Sequence, residues 1–299
     1  MLARCIIALL VALATFPAAA QQPGKLKVVA SFSILADFVR NVGGDRIDVV
    51  TLVGPDADAH GFAPTPAHAR TVAEANLIFV NGLGFEGWMA RLIKAAGSSA
   101  NAIVTTAGIK PLKMDDHKHG HSHSATDPHA WQSVANAKIY IANIRNALVK
   151  ADPAGKQTYE ANAKAYADKL DELDAEVRAA VARIPADRRR IITSHDAFAY
   201  FAASYGVQFI APGGVSTETA ASAKDVARII TQIKTQKIPA VFLENISSDR
   251  LMEQIARETG ARIGGKLYSD ALSGPQGPAP TYIEMMRQNV RQLSSALTG

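Results

Sequence analysis

The sequence predicts an α/β protein with two Rossmann-like lobes, each a mostly parallel sheet with flanking helices, joined by one long backbone helix. Three observations lead to this fold class. Short apolar runs alternate with helical patterns from residue 25 to residue 104. A single, much longer helical pattern follows, and a second alternating series begins at residue 191. The alternative that this pattern leaves open is a single doubly wound domain with a long surface helix.

The first series of strands and helices predicts an N-terminal lobe, residues 21–150. Apolar runs predict strands at 26–30, 47–53, 77–80 and 102–104. Apolar residues at helical spacing predict helices at 32–39, 65–75 and 85–96. Strands that alternate with helices pair in parallel, because each helix carries the chain back to the same end of the sheet.

The clearest helix of the chain follows this lobe. One apolar stripe recurs at spacings of three and four residues: Tyr159, Ala163, Tyr166, Leu170, Leu173, Val177, Val181 and Ile184. Pro153 stands where a helix start tolerates proline, and Pro185 closes the other end. A helix of about thirty residues spans on the order of 45 Å, the length of two lobes. We therefore assign residues 151–186 to a stiff linking helix.

The second series predicts a C-terminal lobe, residues 187–299. Its apolar runs predict strands at 191–194, 207–211, 239–244 and 261–267. Helical patterns cover 223–235, 248–259 and 282–297. The segment 274–280 is rich in glycine and proline, so we expect a mobile element there.

The first twenty residues predict a secretory signal peptide. A short positive start, Met1–Arg4, precedes the apolar stretch Cys5–Phe16, and Ala18–Ala20 supply a small-residue cleavage site. We expect cleavage after Ala20 and export to the periplasm. Cys5 is the only cysteine of the chain and lies inside this leader. We therefore expect a mature protein without thiols that is not a lipoprotein.

The composition excludes several classes of protein and partner. Hydrophobic residues make up 48% and charged residues 20%, the balance of a globular protein rather than of a disordered or disulfide-stapled chain. The formal net charge of +5 is spread along the chain without a long basic run. Because binding to nucleic acid or to an anionic membrane needs concentrated positive charge, we expect neither partner.

All eight histidines lie between residues 60 and 195, and half of them form a polar cluster. These are His117, His119, His121 and His123, in the segment 115–126. Such a tract has metal-binding side chains without a fixed geometry. We expect this His-rich loop to be an auxiliary site of metal capture; the alternative is a polar, solvated linker.

Three other histidines stand where an α/β sheet binds its ligands. His60 and His195 each follow a predicted strand, and His129 directly precedes a helical pattern. Ligands of open α/β sheets bind beyond the carboxyl ends of the strands, so these side chains can face one cleft. Zinc normally takes four ligands. We choose Asp270, which follows a predicted strand, as the fourth, with Glu244 as its competitor.

Four segments carry a resemblance to a known family: PDADAHGFAP at 55–64, DPHAW at 127–131, SHDAFAYF at 194–201 and LYSD at 267–270. They resemble the metal-site motifs of the zinc/manganese solute-binding proteins of ABC importers, cluster A-I. The resemblance covers nearly the whole mature chain. It implies two α/β lobes joined by one long helix, with a metal between them. It also implies the ligands His60, His129, His195 and Asp270, which decides against Glu244.

The resemblance also bears on the metal. Manganese-type members of the family carry a carboxylate where this chain has His195, and imidazoles suit zinc. The short His-rich loop, and Ala59 beside the first ligand, are more similar to the AztC-like subgroup with three histidines and one aspartate. The resemblance therefore implies Zn²⁺ as the bound metal, with Mn²⁺ as the alternative.

The function that follows is carriage of a metal ion. We expect a periplasmic, monomeric, high-affinity zinc-binding protein that delivers Zn²⁺ to the membrane permease of an ABC importer, with a periplasmic zinc carrier as a further partner.

The first alternative to this function is a protein of the same transporter class that carries Mn²⁺ or Fe²⁺. The second is a secreted zinc hydrolase with water in the fourth position. We expect no enzyme, because the chain has no His-Glu-x-x-His motif. A third alternative, a surface adhesin, would need the tether that the missing lipidation cysteine does not provide.

Overall fold

The structure, a computed structural model, describes residues 24–113 and 126–298. The predicted signal peptide, residues 1–20, and the loop histidines His117, His119, His121 and His123 lie outside the described residues. Among the helices that are described, none is both long enough and apolar enough to cross a membrane.

The first of two sheets has four parallel strands: β1 (Leu26–Phe32), β2 (Ile47–Val53), β3 (Leu77–Val80) and β4 (Asn101–Val104). Their spatial order is β2-β1-β3-β4. Val28 of β1 pairs with Val49 on one side and with Leu77 on the other, so β1 lies inside the sheet. All four strands occur where apolar runs predict them.

The second sheet repeats this arrangement with β5 (Arg190–Ile192), β6 (Gln208–Ile210), β7 (Ala240–Glu244) and β8 (Arg262–Leu267). Its order is β6-β5-β7-β8, and all its pairs are parallel. The two sheets share no strand, so the alternative of a single doubly wound domain is wrong.

Helices flank and connect the two sheets. They are α1 (Ser33–Gly43), α2 (Pro66–Ala73), α3 (Met89–Ala96), α4 (Val134–Ala151), α5 (Lys156–Ala182), α6 (Ala199–Tyr205), α7 (Ala223–Gln236), α8 (Arg250–Thr259) and α9 (Tyr282–Leu297). The crossovers between strands place the carboxyl ends of each sheet at one edge, where ligands of α/β proteins bind.

Helix α5 runs for 27 residues between the two sheets. Its apolar stripe packs against α1 and α4 of the first lobe and against α6 and α9 of the second, which confirms the predicted linking helix. The helix begins later than residue 151, because Asp152 accepts a hydrogen bond from the amide of Gly155 and so separates α4 from α5. Gly155 is required at this turn, since a side chain there would collide with Arg46 and Tyr159.

One apolar core extends through both lobes and includes α5. The ring centroid of Phe38, on α1, lies 4.7 Å from that of Tyr282 on α9 and 6.3 Å from that of Tyr166 on α5. A separate, smaller core lies under α7 and α8: Ile192, Ile210, Ile229, Ile233, Ile238, Val241, Met252 and Ile255. Because burial of apolar surface is the main stabilising term, the shared core holds the two lobes in contact.

Candidate metal centre

Four predicted ligands meet between the carboxyl ends of the two sheets. His60 follows β2 and His129 precedes α4, whereas His195 follows β5 and Asp270 follows β8. One ligand atom from each lies within 4.8 Å of the others, and all four side chains are buried. The group contains Asp270 and not its competitor, Glu244.

The Nε2 atoms of the three histidines converge on the carboxylate of Asp270. Nε2 of His60 and Nε2 of His195 each lie 3.2 Å from Oδ2, and Nε2 of His129 lies 3.5 Å from Oδ1. The Nε2 atoms of His60 and His129 are 3.3 Å apart. Three nitrogen donors and one oxygen donor are a set that zinc proteins use.

Two of the histidines have a carboxylate beside the other ring nitrogen. Nδ1 of His129 lies 2.8 Å from Oδ1 of Asp127, and Nδ1 of His195 lies 2.7 Å from Oε2 of Glu244. Such a partner fixes the tautomer and orientation of an imidazole, so that Nε2 keeps its lone pair for a metal. Glu244 therefore approaches His195 from the side opposite to Asp270.

The sequence-based predictions assign no role to Asp58 and Asp127, although one spacing could have revealed them. Each stands two residues before a predicted ligand and accepts a hydrogen bond from the backbone amide of that histidine. The distances are 2.9 Å from the amide of His60 to Asp58 and 2.8 Å from the amide of His129 to Asp127. The repeated Asp-x-His spacing marks a turn closed by the aspartate side chain. It fixes the backbone at both candidate ligands of the first lobe.

Aromatic side chains enclose the cluster. The ring centroid of Phe85 lies 4.7 Å from that of His60. Nε1 of Trp131 donates a hydrogen bond of 2.9 Å to the carbonyl of Ser269, which fixes the backbone next to Asp270. Charges interact more strongly between such apolar walls than in water, because the local dielectric constant is lower.

Burial and charge act in opposite directions on the pKa values of the cluster. Burial, the largest influence on His129, lowers its pKa, but the charges of Asp270 and Asp127 and the hydrogen bonds to them raise it to about 9. Burial also lowers the pKa of His195, yet the charges of Glu244 and Asp270 hold that pKa well above its ordinary value. Burial raises the pKa of Asp270, whereas the charges of His129 and His195 hold it well below its usual range.

The carboxylate of Asp270 fits a cation. Its Oδ1 is buried and, within residues 24–113 and 126–298, lies 3.5 Å from Nε2 of His129 without a well-formed hydrogen bond. A buried, charged oxygen whose hydrogen bonding is incomplete costs free energy, which a bound cation would offset. Together with three imidazole nitrogens, this oxygen makes a donor set that suits a divalent transition metal.

His68 lies apart from this cluster. It is half-buried on α2, where its Nδ1 accepts a hydrogen bond of 3.0 Å from the backbone amide of Thr65 and caps the helix start. Its ring packs on Phe62, with the centroids 5.0 Å apart. His68 is therefore a suitable control position for histidine substitutions.

The segment 274–280 is tied to both lobes. The amide of Ser273 donates to the carbonyl of Ala279, which closes the segment on itself. The amide of Gly274 lies 3.3 Å from Oδ2 of Asp56 in the first lobe. The mobility that the glycines and prolines suggest stays a prediction.

Known proteins resemble this chain over most of its length. Residues 28–296 match the family described as the periplasmic zinc-uptake complex component A, ZnuA. The iron-binding protein YfeA of Yersinia pestis is 41% identical over 89% of this chain and 84% of its own length. The manganese-binding lipoprotein MntA of Halalkalibacterium halodurans is 33% identical, over 91% of this chain and 89% of its own. The solved structure of the periplasmic zinc-binding protein TroA of Treponema pallidum is 29% identical, with a TM-score of 0.85, and covers 92% of this chain and 100% of its own.

The names of the relatives contradict one prediction. Several are lipoproteins, among them the Halalkalibacterium protein and metal transporter proteins of Streptococcus species. This finding overturns the prediction that the present protein is not a lipoprotein, and we withdraw it. That prediction depended on cleavage after Ala20 and on Cys5 lying inside the leader, in a part of the chain that the structure does not describe. The extracytoplasmic location is supported, since the matching family is periplasmic.

Proposed function

The chain belongs to the family of the periplasmic zinc-uptake complex component A, and from this premise we propose that it carries Zn²⁺ to an ABC importer. It is a metal-binding, substrate-binding protein of such a transporter and not an enzyme, and it works with permease and ATPase components. The relatives are named for iron, manganese or zinc. The choice of metal therefore has to be argued from this chain's own residues.

The donor set is the observation that carries the proposal. The candidate ligands are His60, His129, His195 and Asp270, whose ligand atoms lie within 4.8 Å of one another. Zinc favours four ligands in a tetrahedron, with nitrogen among them, whereas manganese favours a larger set rich in oxygen. Three imidazoles and one carboxylate are therefore a better match for zinc.

A centre with four protein donors suits carriage rather than catalysis. A catalytic zinc keeps one position open for water or substrate, and four side chains fill all the positions of a tetrahedron. In this proposal the imidazoles bind as neutral groups, and Asp127 and Glu244 keep His129 and His195 in the orientation that binding needs. The bound zinc is the transported cargo.

Three finer assignments belong to the same proposal. We place the chain in the AztC-like subgroup, on its three histidines, one aspartate and Ala59 beside the first ligand. The loop histidines at 117, 119, 121 and 123 would raise the local concentration of zinc, or accept it from a periplasmic carrier. A monomer that docks one lobe on each half of the transporter is the expected state.

The second candidate is carriage of Mn²⁺ or Fe²⁺ by a transporter of the same class. Its support is the names of two relatives, an iron-binding protein of Yersinia pestis and a manganese-binding lipoprotein of Halalkalibacterium halodurans. Imidazole and carboxylate ligands also bind iron. The types of ligand therefore distinguish zinc from manganese more clearly than they distinguish zinc from iron.

Metal competition on the full exported protein tests the proposal. Metal-stripped protein is offered limiting, equal amounts of Zn²⁺, Mn²⁺ and Fe²⁺, and the metal that stays bound is counted after desalting. We expect one zinc per chain, both in the wild type and in a variant with asparagine at positions 117, 119, 121 and 123.

Two substitutions serve as a matched pair. We expect His129→Ala to lose the tightly bound zinc and His68→Ala to keep it, because His68 lies on α2 away from the cluster. Preferential retention of manganese or iron would contradict the zinc proposal, since the general order of affinities already favours zinc over both. Equal retention of zinc by both variants would contradict the site.

A further inference from the structure

The candidate metal centre is closed to solvent, so a metal must pass some element that moves. The side chains of His60, His129, His195 and Asp270 are between 0% and 4% exposed. A closed centre exchanges its ligand through local opening, and the element that opens is the one held by the fewest buried contacts.

On one side of the candidate metal centre, buried hydrogen bonds hold the two lobes together. Tyr282 donates a hydrogen bond of 2.7 Å to the carbonyl of Trp131, and Trp131 donates one of 2.9 Å to the carbonyl of Ser269. The amide of Leu272 donates a bond of 3.0 Å to the hydroxyl of Ser33. These residues are buried in or beside the core that both lobes share, so opening at this side would disrupt that core.

The segment 212–222, which we name the strap, is held differently. It connects β6 to α7 and is half-buried at positions 213–217 and exposed at 218–220. At its start, the amide of Gly213 donates to the carbonyl of Ser194, and the carbonyl of Gly214 accepts from the amide of Asp196. These bonds attach the strap to the turn that carries His195. A side chain at Gly213 would lie 2.9 Å from the carbonyl oxygen of Ser194, so only glycine permits this close approach.

The other end of the strap crosses to the first lobe. The hydroxyl of Thr217 donates a hydrogen bond of 2.5 Å to Oδ2 of Asp58. Oδ1 of the same carboxylate accepts a hydrogen bond of 2.9 Å from the backbone amide of His60. A side chain at Gly61 would come within 3.9 Å of Glu218, so the strap passes close over this turn. The strap therefore connects the turns of two candidate ligands from different lobes.

We propose that Thr217 is a positioning residue whose bond to Asp58 keeps the strap closed over the metal centre and sets the rates at which metal enters and leaves. This inference rests on the proposed function, since it concerns exchange at the same site. Thr217 does not touch the metal; it acts through Asp58 and the strap. Helix α7, which follows the strap, packs on the small separate core, so the strap can open without disturbing the shared core.

A gate of this kind has a characteristic kinetic effect. If the strap opens before metal passes in either direction, a weaker bond raises association and dissociation rates by the same factor. The equilibrium affinity then changes little. Loss of a metal ligand would instead weaken the affinity itself, and a general loss of packing would lower the free energy of unfolding.

The test compares Thr217→Val, which keeps the shape and removes the hydroxyl, with Thr217→Ser, which keeps the hydroxyl. Thr219→Val, an exposed position on the same strap, is the control. Zn²⁺ association and dissociation are followed by stopped flow with a chromophoric chelator, beside the affinity and the unfolding of metal-free protein. We expect both rates to rise about tenfold in Thr217→Val, as loss of a hydrogen bond to a charged group predicts, with an affinity within about threefold of wild type.

Thr217→Ser and Thr219→Val are expected to behave as wild type. Unchanged association and dissociation rates in Thr217→Val would contradict the proposed gate. Rates raised equally in Thr217→Ser would contradict it as well. Faster dissociation alone, with a correspondingly weaker affinity, would also overturn it, because Thr217 would then support the bound state only. These results concern the strap and leave the proposed function standing. Wild-type protein that binds no metal would overturn both.

Discussion

Glu244 supports the candidate metal centre through His195, on the side of that ring opposite to Asp270. Its Oε1 accepts the backbone amides of Ser194 at 2.8 Å and His195 at 3.1 Å, and its Oε2 lies 2.7 Å from Nδ1 of His195. Burial raises the pKa of Glu244, but the charge of His195 and the hydrogen bonds outweigh it and hold the pKa below its usual range. Glu244 is therefore ionised at neutral pH and aligns the imidazole ring of His195.

Replacement of this carboxylate should weaken metal binding without abolishing it. We expect Glu244→Gln to lower the zinc affinity about 10- to 100-fold, the usual effect of removing the partner of a ligating histidine. Competition with a chelator of known affinity measures the change. The control is Glu258→Gln, an exposed position on α8 that should bind zinc as wild type does. An unchanged affinity in Glu244→Gln would show that His195 needs no partner.

Protons and a bound metal would compete for the imidazoles of the candidate ligands, so pH should have two opposite effects. In metal-free protein the pKa of His129 is about 9, above the ordinary value of 6.5. A raised pKa means that protonation stabilises the fold, fully below pH 6.5 and with progressive loss as pH rises through about 9. Metal affinity should instead rise across this interval, because fewer protons have to be displaced.

Chemical denaturation of metal-free protein and zinc competition, both at a series of pH values, test this expectation. Stability should fall and affinity should rise over the same interval. Metal-free protein that became more stable as pH rose through 9 would contradict the assigned protonation state.

The sequence identified the candidate ligands better than their partners. Residue type and position, after a strand for His60 and His195 and before a helix for His129, were enough to select the three histidines. Those criteria did not separate Asp270 from Glu244, because Glu244 ends one predicted strand and Asp270 follows another. The difference between them is the side from which each approaches His195. That depends on the order of the strands in the sheet, where β7 lies between β5 and β8, and spacing along the chain does not encode this order.

At the scale of elements, helix α5 depends on its buried stripe. Leu170 lies within that stripe and is fully buried. We expect Leu170→Ala to lower the free energy of unfolding by about 2–5 kcal/mol, because the cavity left behind does not collapse completely. Lys169→Ala, at the exposed neighbouring position, should change it by less than about 0.5 kcal/mol. Urea denaturation measures both, and equal effects would mean that the stripe does not carry the stability of α5.

Strands and long helices were predictable because their apolar patterns are local. The break between α4 and α5 was not, because it arises from a competing local bond. The side chain of Asp152 accepts a hydrogen bond from the backbone amide of Gly155, and this turn ends α4. Pro153 fits such a turn as well as it fits the start of a helix. The same residues are therefore compatible with one long helix or with two, and the side-chain bond decides.

At the scale of the whole molecule, the shared core should make the two lobes unfold together. The core joins the lobes through α5 and α9. We expect one calorimetric unfolding transition in metal-free protein. Zinc should move this whole transition to a higher temperature. At a free zinc concentration 1,000 times the dissociation constant, linkage adds about 4 kcal/mol to the free energy of unfolding. Two transitions, of which zinc shifts only one, would show that the lobes fold independently.

The two-lobe arrangement was visible in the sequence, and the shared core was not. Alternating strands and helices on both sides of one long stripe indicate two sheets. The contacts that unite them join residues far apart along the chain, such as Phe38 and Tyr282. Periodicity shows which face of an element is buried, and it does not show which distant element covers that face.

The raised pKa values of His129 and His195 have a consequence for the transporter. These raised values favour protonated imidazoles in the empty cavity, whereas a bound divalent ion would need neutral rings. Release of the metal should therefore be accompanied by proton uptake, which offsets part of the positive charge that leaves. The electric field that a permease meets should then differ less between the empty and the loaded protein than the charge of the ion alone would make it. Discrimination between the two forms should accordingly depend more on shape.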